Sequence, residues 1–303
     1  MTTQAAPEAQ QAGWLRAAWS DCQTPFHGAA LLLVVALVAV ELVLARALHF
    51  SGVSEVFKVW PSVVLSLGCV WYARWRPLPK AVEPAELAVF AIVFTNILTI
   101  LIQLAGRSPH PLFDEQFAAM DRAAHFSTVY WVRLAAGWPA VRTGLAVAYD
   151  LVTPMLFLAI LVPPFFGYRS ASRQFMLGIV VAAIATAAIF WAWPAVGPWT
   201  TEGYSPTREQ SAVAAYLVRL RSALPVSADM EDAGIVSFPS FHVVLAVLAA
   251  FALRRIRVLS IFAWVVCGLI CISTITTGWH YGVDVVAGLV LAVVSIAAVS
   301  WVE

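Results

Sequence analysis

Two polar segments at the edges of apolar runs carry residues that could do acid–base or nucleophilic chemistry. The first is SFPSFH at residues 237–242, and it precedes a long apolar stretch. Ser237 can cap a helix there, and proline is tolerated in a first helical turn. The free N–H groups of a helix N-terminus bind anions. We therefore expect Ser240 and His242 to stand beside an anion site, although a capped helix start with one histidine is also a common structural feature.

The second segment joins two later apolar runs and contains His280 and Asp284. Residues four apart share one face of a helix. A carboxylate that accepts the Nδ1–H of an imidazole leaves Nε2 with a free lone pair, which makes the ring an oriented nucleophile or base. The structural alternative is a histidine–aspartate pair that only ties down a helix end.

The composition indicates which elements must position these residues. Of the 303 residues, 61% are hydrophobic and 12% are charged, whereas soluble domains have about 25% charged residues. This excludes a water-soluble globular enzyme, a disordered protein and a nucleic-acid binder. An all-α, polytopic transmembrane helical bundle remains. The net charge of +1 says nothing about partners.

The apolar runs predict about eight membrane spans, each near the ~20 residues that a bilayer requires. We expect an N-terminal tail over 1–28, two additional transmembrane helices within 29–85, and a catalytic six-helix membrane core over 86–303. The spans are predicted at about 29–48, 56–73, 86–105, 144–162, 175–193, 236–253, 258–277 and 281–301.

Two connecting segments have the periodicity of interfacial amphipathic helices. The first covers about 111–126, and its predicted apolar face consists of Phe113, Phe117, Met120 and Ala124. Its predicted outward face consists of Asp114, Glu115, Asp121 and Arg122. The second covers 207–224, and its predicted apolar face consists of Val213, Leu217, Leu220 and Leu224.

Positive charge in the short loops predicts the orientation of the chain. The loops on the side of the N-terminus are dense in Lys and Arg, for example Arg254, Arg255 and Arg257. Both termini are therefore expected to be cytoplasmic. The span count then brings His242, His280 and Asp284 to the outer surface, where they could form a phosphoryl-transfer site. In such a site one histidine attacks phosphorus, the aspartate orients it, and the other histidine protonates the leaving oxygen.

PSFH followed by HxxxD on paired hydrophobic helices resembles the type 2 phosphatidic acid phosphatase superfamily, whose motifs are KxxxxxxRP, PSGH and SRxxxxxxHxxxD. The resemblance covers roughly residues 86–300. The contexts GIVSFPSFH and HYGVDVVAG, with FDEQFAAMDRA, AYDLVTP and WPAVGPW, look most like the branch of inositol phosphorylceramide synthases and their bacterial relatives.

The resemblance implies catalytic roles for the matching residues. His280 corresponds to the histidine that forms the phospho-enzyme, Asp284 to its orienting acid, and His242 to the general acid. Ser240 corresponds to the phosphate-contacting serine. No metal and no cofactor are expected.

The sequence departs from the family pattern at the phosphate ligands. Phe241 replaces the glycine of PSGH, and the three basic positions hold Phe190, Gly197 and Thr274. We expect Thr274 to remain a phosphate contact and another cation to compensate the substrate's charge. The candidate cations are Arg133, Arg142, Arg208, Arg219 and Arg221. Asp150, Tyr149 and Arg208 are possible second-layer residues around the site.

These features predict an integral membrane lipid-phosphate phosphatase with its active site on the outer side of a bacterial inner or plasma membrane. The substrate would be a membrane lipid phosphate or a phospholipid. If a lipid alcohol is the acceptor, the protein is instead a lipid head-group phosphotransferase of the inositol phosphorylceramide synthase type. A third possibility is a non-enzymatic transporter or lipid-binding scaffold with a decayed site, which the loss of the basic ligands favours.

Overall fold

The computed structural model describes residues 79–222 and 234–301, together with a few isolated positions between residues 36 and 72. The predicted tail at 1–28 and the continuous spans predicted at 29–48 and 56–73 lie outside the described residues. The described part is all-α: its regular elements are helices joined by turns and irregular segments, and it contains no strand.

Five of its helices are long and apolar enough to cross a membrane. They coincide within a few residues with the spans predicted at 86–105, 144–162, 175–193, 258–277 and 281–301, and they make this a multi-pass membrane protein. In chain order the helices are α1 (Pro79–Gly106), α2 (Asp114–Ala123), α3 (Thr128–Ala136), α4 (Pro139–Phe165), α5 (Arg169–Ala192), α6 (Arg208–Arg221), α7 (Phe241–Leu253), α8 (Arg257–Thr276) and α9 (Gly282–Val299).

Helix α4 is longer than predicted and is interrupted once, at Leu151. Proline lacks the N–H that an α-helix needs for its i→i−4 bond. Pro154 therefore cannot donate to the carbonyl of Asp150, which explains why the helix is interrupted there. The consequence is that Tyr149 and Asp150 lie at the end of one helical segment rather than in the middle of a uniform helix.

Helix α7 lies at the centre of the bundle and contacts α4, α5, α8 and α9. Apart from His242 in its first turn it is apolar throughout, and most of its residues are buried, as expected for a helix in a core. The prediction of a span over 236–253 was wrong at its start, because the helix begins only at Phe241 and has 13 residues. The residues before it form the irregular segment that carries Ser237.

Helix α9 approaches the start of α7 as closely as its backbone allows. A Cβ atom added at Gly288 would lie 2.6 Å from the carbonyl oxygen of Ser240, so only glycine fits there. The Ser240 N–H donates to the carbonyl of Asp284 at 3.0 Å. These contacts fix the two motif segments, which are about 40 residues apart in the chain, against each other.

The two short amphipathic helices were predicted with different success. In α6, Leu217 and Leu220 are buried as expected, while Leu224 lies outside the described residues. In the segment of α2 the predicted orientation was wrong for four residues. Asp114 and Asp121 are buried, whereas Met120 is 54% exposed and Ala124, just after the helix, is also exposed.

Candidate active site

The His280 imidazole is held by two acceptors at the same nitrogen. Its Nδ1 lies 2.9 Å from the carbonyl oxygen of Ser237 and 3.3 Å from Oδ2 of Asp284. A backbone carbonyl can only accept a hydrogen bond. Nδ1 must therefore carry the proton, and Nε2 keeps a free lone pair in the neutral ring.

Asp284 is fully buried, and its Oδ2 atom receives two further hydrogen bonds. The Ser237 hydroxyl donates to it at 2.9 Å, and the Tyr281 N–H donates to it at 2.9 Å. Ser237 was predicted to cap the following helix. That prediction was wrong, because Ser240 occupies the N-cap position of α7 and the Ser237 hydroxyl is committed to Asp284. Ser237 thus contacts both members of the pair, through its carbonyl and its hydroxyl.

His280 lies between α8 and α9 and is 3% exposed. Burial lowers the pKa of His280 to about 4, although the hydrogen bond to the Ser237 carbonyl opposes the shift. The ring is therefore neutral at physiological pH. Nε2 can act as a nucleophile when the imidazole is neutral and its Nδ1–H is hydrogen-bonded, which is the form found here.

His242 faces the same space, with its ring centroid 6.5 Å from that of His280. The Tyr149 hydroxyl lies 3.1 Å from Nδ1 of His242, and the two rings stack with centroids 4.1 Å apart. When the hydroxyl donates, Nδ1 is the acceptor and Nε2 carries the proton of the neutral ring. Such a ring donates a hydrogen bond through Nε2, and it becomes a proton donor once Nδ1 also carries a proton. Tyr149, which was singled out with Asp150 from the sequence, thus contacts one of the two histidines directly.

Both histidines line one cavity of about 180 Å³, which we call the histidine chamber. Ser237, Thr95, Thr99 and Tyr149 supply the other polar side chains of its wall. The apolar part of the wall consists of Leu98, Ile102, Val196, Val213, Val236, Phe241, Leu245 and Trp279. No Lys or Arg is among the described residues that line it.

Ser240 and Thr274, the two predicted phosphate contacts, are both fully buried and do not line the histidine chamber. The Thr274 hydroxyl donates to the carbonyl of Cys271, and the Thr274 carbonyl accepts from the N–H groups of Trp279 and His280. Thr274 therefore supports the loop that carries His280. The Ser240 hydroxyl has no hydrogen-bond partner among the described residues.

A larger cavity of about 510 Å³ adjoins the histidine chamber, and we call it the outer pocket. Tyr149 and Trp279 line both cavities and so form their common wall. Asp150 and Arg142 line the outer pocket. Of the five arginines considered as replacement cations, Arg142 alone lines either cavity in the described part of the chain, and it does not line the histidine chamber. Arg208 is exposed and lines neither cavity.

Two buried carboxylates of α2, which sequence reasoning assigned to the outward face, hold the loop after His280. The carboxylate of Asp121 accepts from the N–H groups of Gly282 and Val283 at 2.7 and 2.9 Å. Asp114 accepts from the Tyr281 hydroxyl at 3.1 Å and also from two backbone N–H groups at residues 196 and 197. The spacing of Asp114 and Asp121 was a signal in the sequence, since residues seven apart lie two turns apart on one helix face.

Asp121 sits at the N-terminus of α9, where a negative charge is favourable. Burial raises the pKa of Asp121 above its ordinary value, while the two backbone donors oppose the shift. Each oxygen of this carboxylate accepts a hydrogen bond from one of the first two N–H groups of α9. The loop that carries His280 is thereby fixed from the α2 side.

A group of three or more His, Cys, Asp or Glu side chains that could hold a metal ion does not occur within residues 79–222 and 234–301. The chemistry that the described residues offer is that of two histidines and an oriented carboxylate.

A family model described as the PAP2 superfamily matches residues 115–298, which is more than half of the chain. The matched region contains both histidines, Asp284 and Asp121, whereas Asp114 lies just before it. The match identifies the superfamily and not the inositol phosphorylceramide synthase-like branch. No curated protein and no solved structure matches the chain significantly.

Proposed function

The chain belongs to the PAP2 superfamily, whose members are generally metal-independent phosphatases, and on this premise we propose that it is a lipid-phosphate phosphatase. It acts through a phospho-histidine intermediate on His280. The substrate is a phosphoester of a membrane lipid. The catalytic core consists of the five long helices and α7, with α2 and α6 at its interface.

The observation that carries this proposal is the hydrogen bonding of His280. Ser237 and Asp284 both lie at Nδ1, so the lone pair of the neutral ring is on Nε2. Burial supports the neutral form, and His242 lines the same chamber. A nucleophile, its orienting carboxylate and a proton donor are the three parts that a two-step phosphoryl transfer needs.

The first step forms a bond between Nε2 of His280 and phosphorus and breaks the bond from phosphorus to the leaving alcohol oxygen. His242, which is protonated on both ring nitrogens when the phosphate anion is bound, gives its Nε2 proton to that oxygen. In the second step a water oxygen attacks phosphorus, His242 takes the proton of the water, and the bond from nitrogen to phosphorus breaks. Inorganic phosphate leaves, and both histidines return to their starting states.

The proposed phosphate contacts are backbone donors at the start of α7. The first N–H groups of a helix have no partner within it, and they favour an anion. Ser240, whose hydroxyl has no partner among the described residues, is the N-cap of that helix. Thr274 acts by supporting the His280 loop. This arrangement accounts for a phosphoryl site without the three basic residues of the family pattern.

The orientation of the site is part of the proposal. Loop charge places both termini in the cytoplasm and His280 on the outer side of the membrane. The substrate then enters from the outer leaflet. A cysteine placed at Arg255 should resist an impermeant thiol reagent added to intact cells, and labelling from outside would contradict this orientation.

One observation favours a lipid alcohol as the acceptor in place of water. The wall of the histidine chamber is largely apolar, and Phe241 stands where the family pattern has glycine. Apolar walls limit water and accept a lipid that enters sideways. Transfer of the phosphorylated head group to a lipid hydroxyl is therefore the second candidate function.

Purified protein with radiolabelled phosphatidic acid or phospholipid, with and without ceramide or diacylglycerol, tests both candidates. We expect release of labelled phosphate or phosphorylated head group, and no turnover by His280→Ala. A new labelled lipid that depends on His280 would replace the phosphatase by the transferase. Turnover by His280→Ala at a near wild-type rate would refute the mechanism, and a folded wild-type protein without any turnover would favour the scaffold.

A further inference from the structure

The outer pocket is larger than the histidine chamber and shares the wall of Tyr149 and Trp279 with it. A substrate whose phosphoryl group lay in the histidine chamber would meet this shared wall, on whose other side the outer pocket lies. At about 510 Å³ the pocket lies within the usual range of small-molecule sites, about 300–1,000 Å³. The two-step reaction at His280 does not require it.

Four polar side chains of the outer pocket, on α6, on the end of α8 and at Tyr204, donate their hydrogen bonds to the protein backbone. The Tyr204 hydroxyl donates to the carbonyl of Gly278 at 2.8 Å. The Gln210 amide donates to the carbonyls of Thr277 and Gly278 at 3.2 and 3.0 Å. These bonds leave the Tyr204 oxygen with acceptor lone pairs only.

The threonine hydroxyls at the end of α8 also donate to backbone carbonyls. Thr276 donates to the carbonyl of Ile272 at 3.1 Å, and Thr277 donates to the carbonyl of Ser273 at 2.6 Å. Their oxygens can still accept. This part of the pocket wall therefore also offers acceptors and no donors.

Two carboxylates add to this surplus of acceptors. Asp150 and Glu209 line the pocket, and an ionised carboxylate only accepts. Asp150 follows Tyr149 directly in a membrane-spanning helix, where ionisable residues are costly and usually functional. Arg142 is the one cation of the described lining, and the other side chains there with donors are those of Ser205, Thr207 and Trp279.

From this imbalance we propose that the outer pocket binds a lipid head group rich in hydrogen-bond donors, which are either hydroxyls or a primary ammonium. Asp150 is its principal acceptor. A head group without N–H or O–H donors, such as a quaternary ammonium, cannot replace the hydrogen bonds that these exposed acceptors make with water, and it binds more weakly. The inference rests on the proposed function only in that it treats the ligand as a lipid phosphoester.

The test measures binding in a protein that cannot turn over, so that it does not depend on the proposed reaction. The His280→Ala protein is titrated in mixed micelles with phosphatidylethanolamine, phosphatidylglycerol or phosphatidylcholine of equal chain length. The readout is the mole fraction of lipid that gives half of the maximal rise in the thermal unfolding midpoint. The three lipids differ in donors, because the first has a primary ammonium, the second has hydroxyls and the third has neither.

We expect at least one of the two donor lipids to act at a severalfold lower mole fraction than phosphatidylcholine. Preference for the first identifies the ammonium, since phosphatidylethanolamine and phosphatidylcholine have the same net charge. Preference for the second identifies the hydroxyls when it persists at high ionic strength; a preference that salt abolishes reflects the negative charge of phosphatidylglycerol near Arg142 and counts against the hydroxyls. Asp150→Asn, made in the same background, should reduce this ratio, whereas Glu115→Gln, which neutralises an exposed acid on α2, should not.

Equal effects of all three lipids would overturn the proposal, and so would an unchanged ratio in Asp150→Asn. A wild-type enzyme that still hydrolyses phosphatidic acid under these outcomes would leave the proposed function intact. Conversely, loss of the proposed function would appear as absent turnover while the lipid preference of the pocket persists.

Discussion

Replacing Asp121 by asparagine should weaken both the fold and the reaction. The two oxygens of Asp121 each receive one backbone N–H, from Gly282 and Val283. An asparagine side chain has the same shape but offers one oxygen and one NH₂ group. At least one of the two N–H groups then faces a donor and loses its partner at the start of α9.

The expected loss follows from these contacts. A hydrogen bond to a charged group contributes about 1.5–3 kcal/mol, and a negative charge at a helix N-terminus adds about 0.3–1 kcal/mol. Burial raises the pKa of Asp121 because it disfavours the charged carboxylate, and the neutral asparagine variant avoids this desolvation cost. A net loss of about 2 kcal/mol remains, which corresponds to roughly 4–8 °C in the unfolding midpoint.

Activity should fall as well, because these N–H groups belong to the residues that follow His280. We expect kcat to fall by about tenfold, equivalent to about 1.4 kcal/mol. Glu115→Gln is the matched control, since it makes the same change of charge on the same helix at an exposed position. Thermal unfolding in detergent and initial rates on one lipid phosphate measure the two effects. If Asp121→Asn and Glu115→Gln behave alike in both assays, the carboxylate does not support the His280 loop.

Three further predictions concern pH, metals and packing. Because the pKa of His280 is lowered to about 4, the nucleophile stays neutral in mild acid, and kcat/KM should begin to fall only as pH approaches that value; an acid limb of the pH–rate profile near 6.5 would contradict this. Millimolar EDTA should leave turnover unchanged, and loss of activity that Mg²⁺ restores would disprove a metal-independent reaction. Gly288→Ala should lower the unfolding midpoint and the rate together, since its Cβ would meet the Ser240 carbonyl at 2.6 Å, whereas the corresponding change at Gly268, which has open space around it, should be tolerated.

The carboxylates of α2 show why the helical periodicity of one segment was not enough to predict which of its side chains are buried. The pattern correctly predicted a helix within about 111–126, which the structure places at Asp114–Ala123, and the burial of Phe117. It assigned Asp114 and Asp121 to the outer face because charged side chains usually avoid burial. Their burial depends on N–H donors from the turn after Trp193 and from the start of α9, and these donors lie far along the chain. Such partners become visible only when the chain is folded.

Ser237 illustrates the same limit within the motif itself. Its position before an apolar run favours a helix cap, which is a local interaction. The helix instead begins at Phe241, and Ser237 contacts His280 and Asp284 across more than 40 residues. Both interactions use ordinary donors and acceptors, so residue type alone does not distinguish between them.

The sequence by itself determined the properties that depend on composition and short spacing. Its apolar runs define the membrane-spanning helices, and the spacing of His280 and Asp284 predicts their pairing, since a helical turn is a local structure. Only the tertiary structure decided which acceptor fixes the proton of His280, where the Asp114 and Asp121 carboxylates lie, and that Tyr149 and Trp279 separate two cavities. The physical reason is that hydrogen bonds and cavity walls join residues distant in the chain, and their geometry is set by how the helices pack.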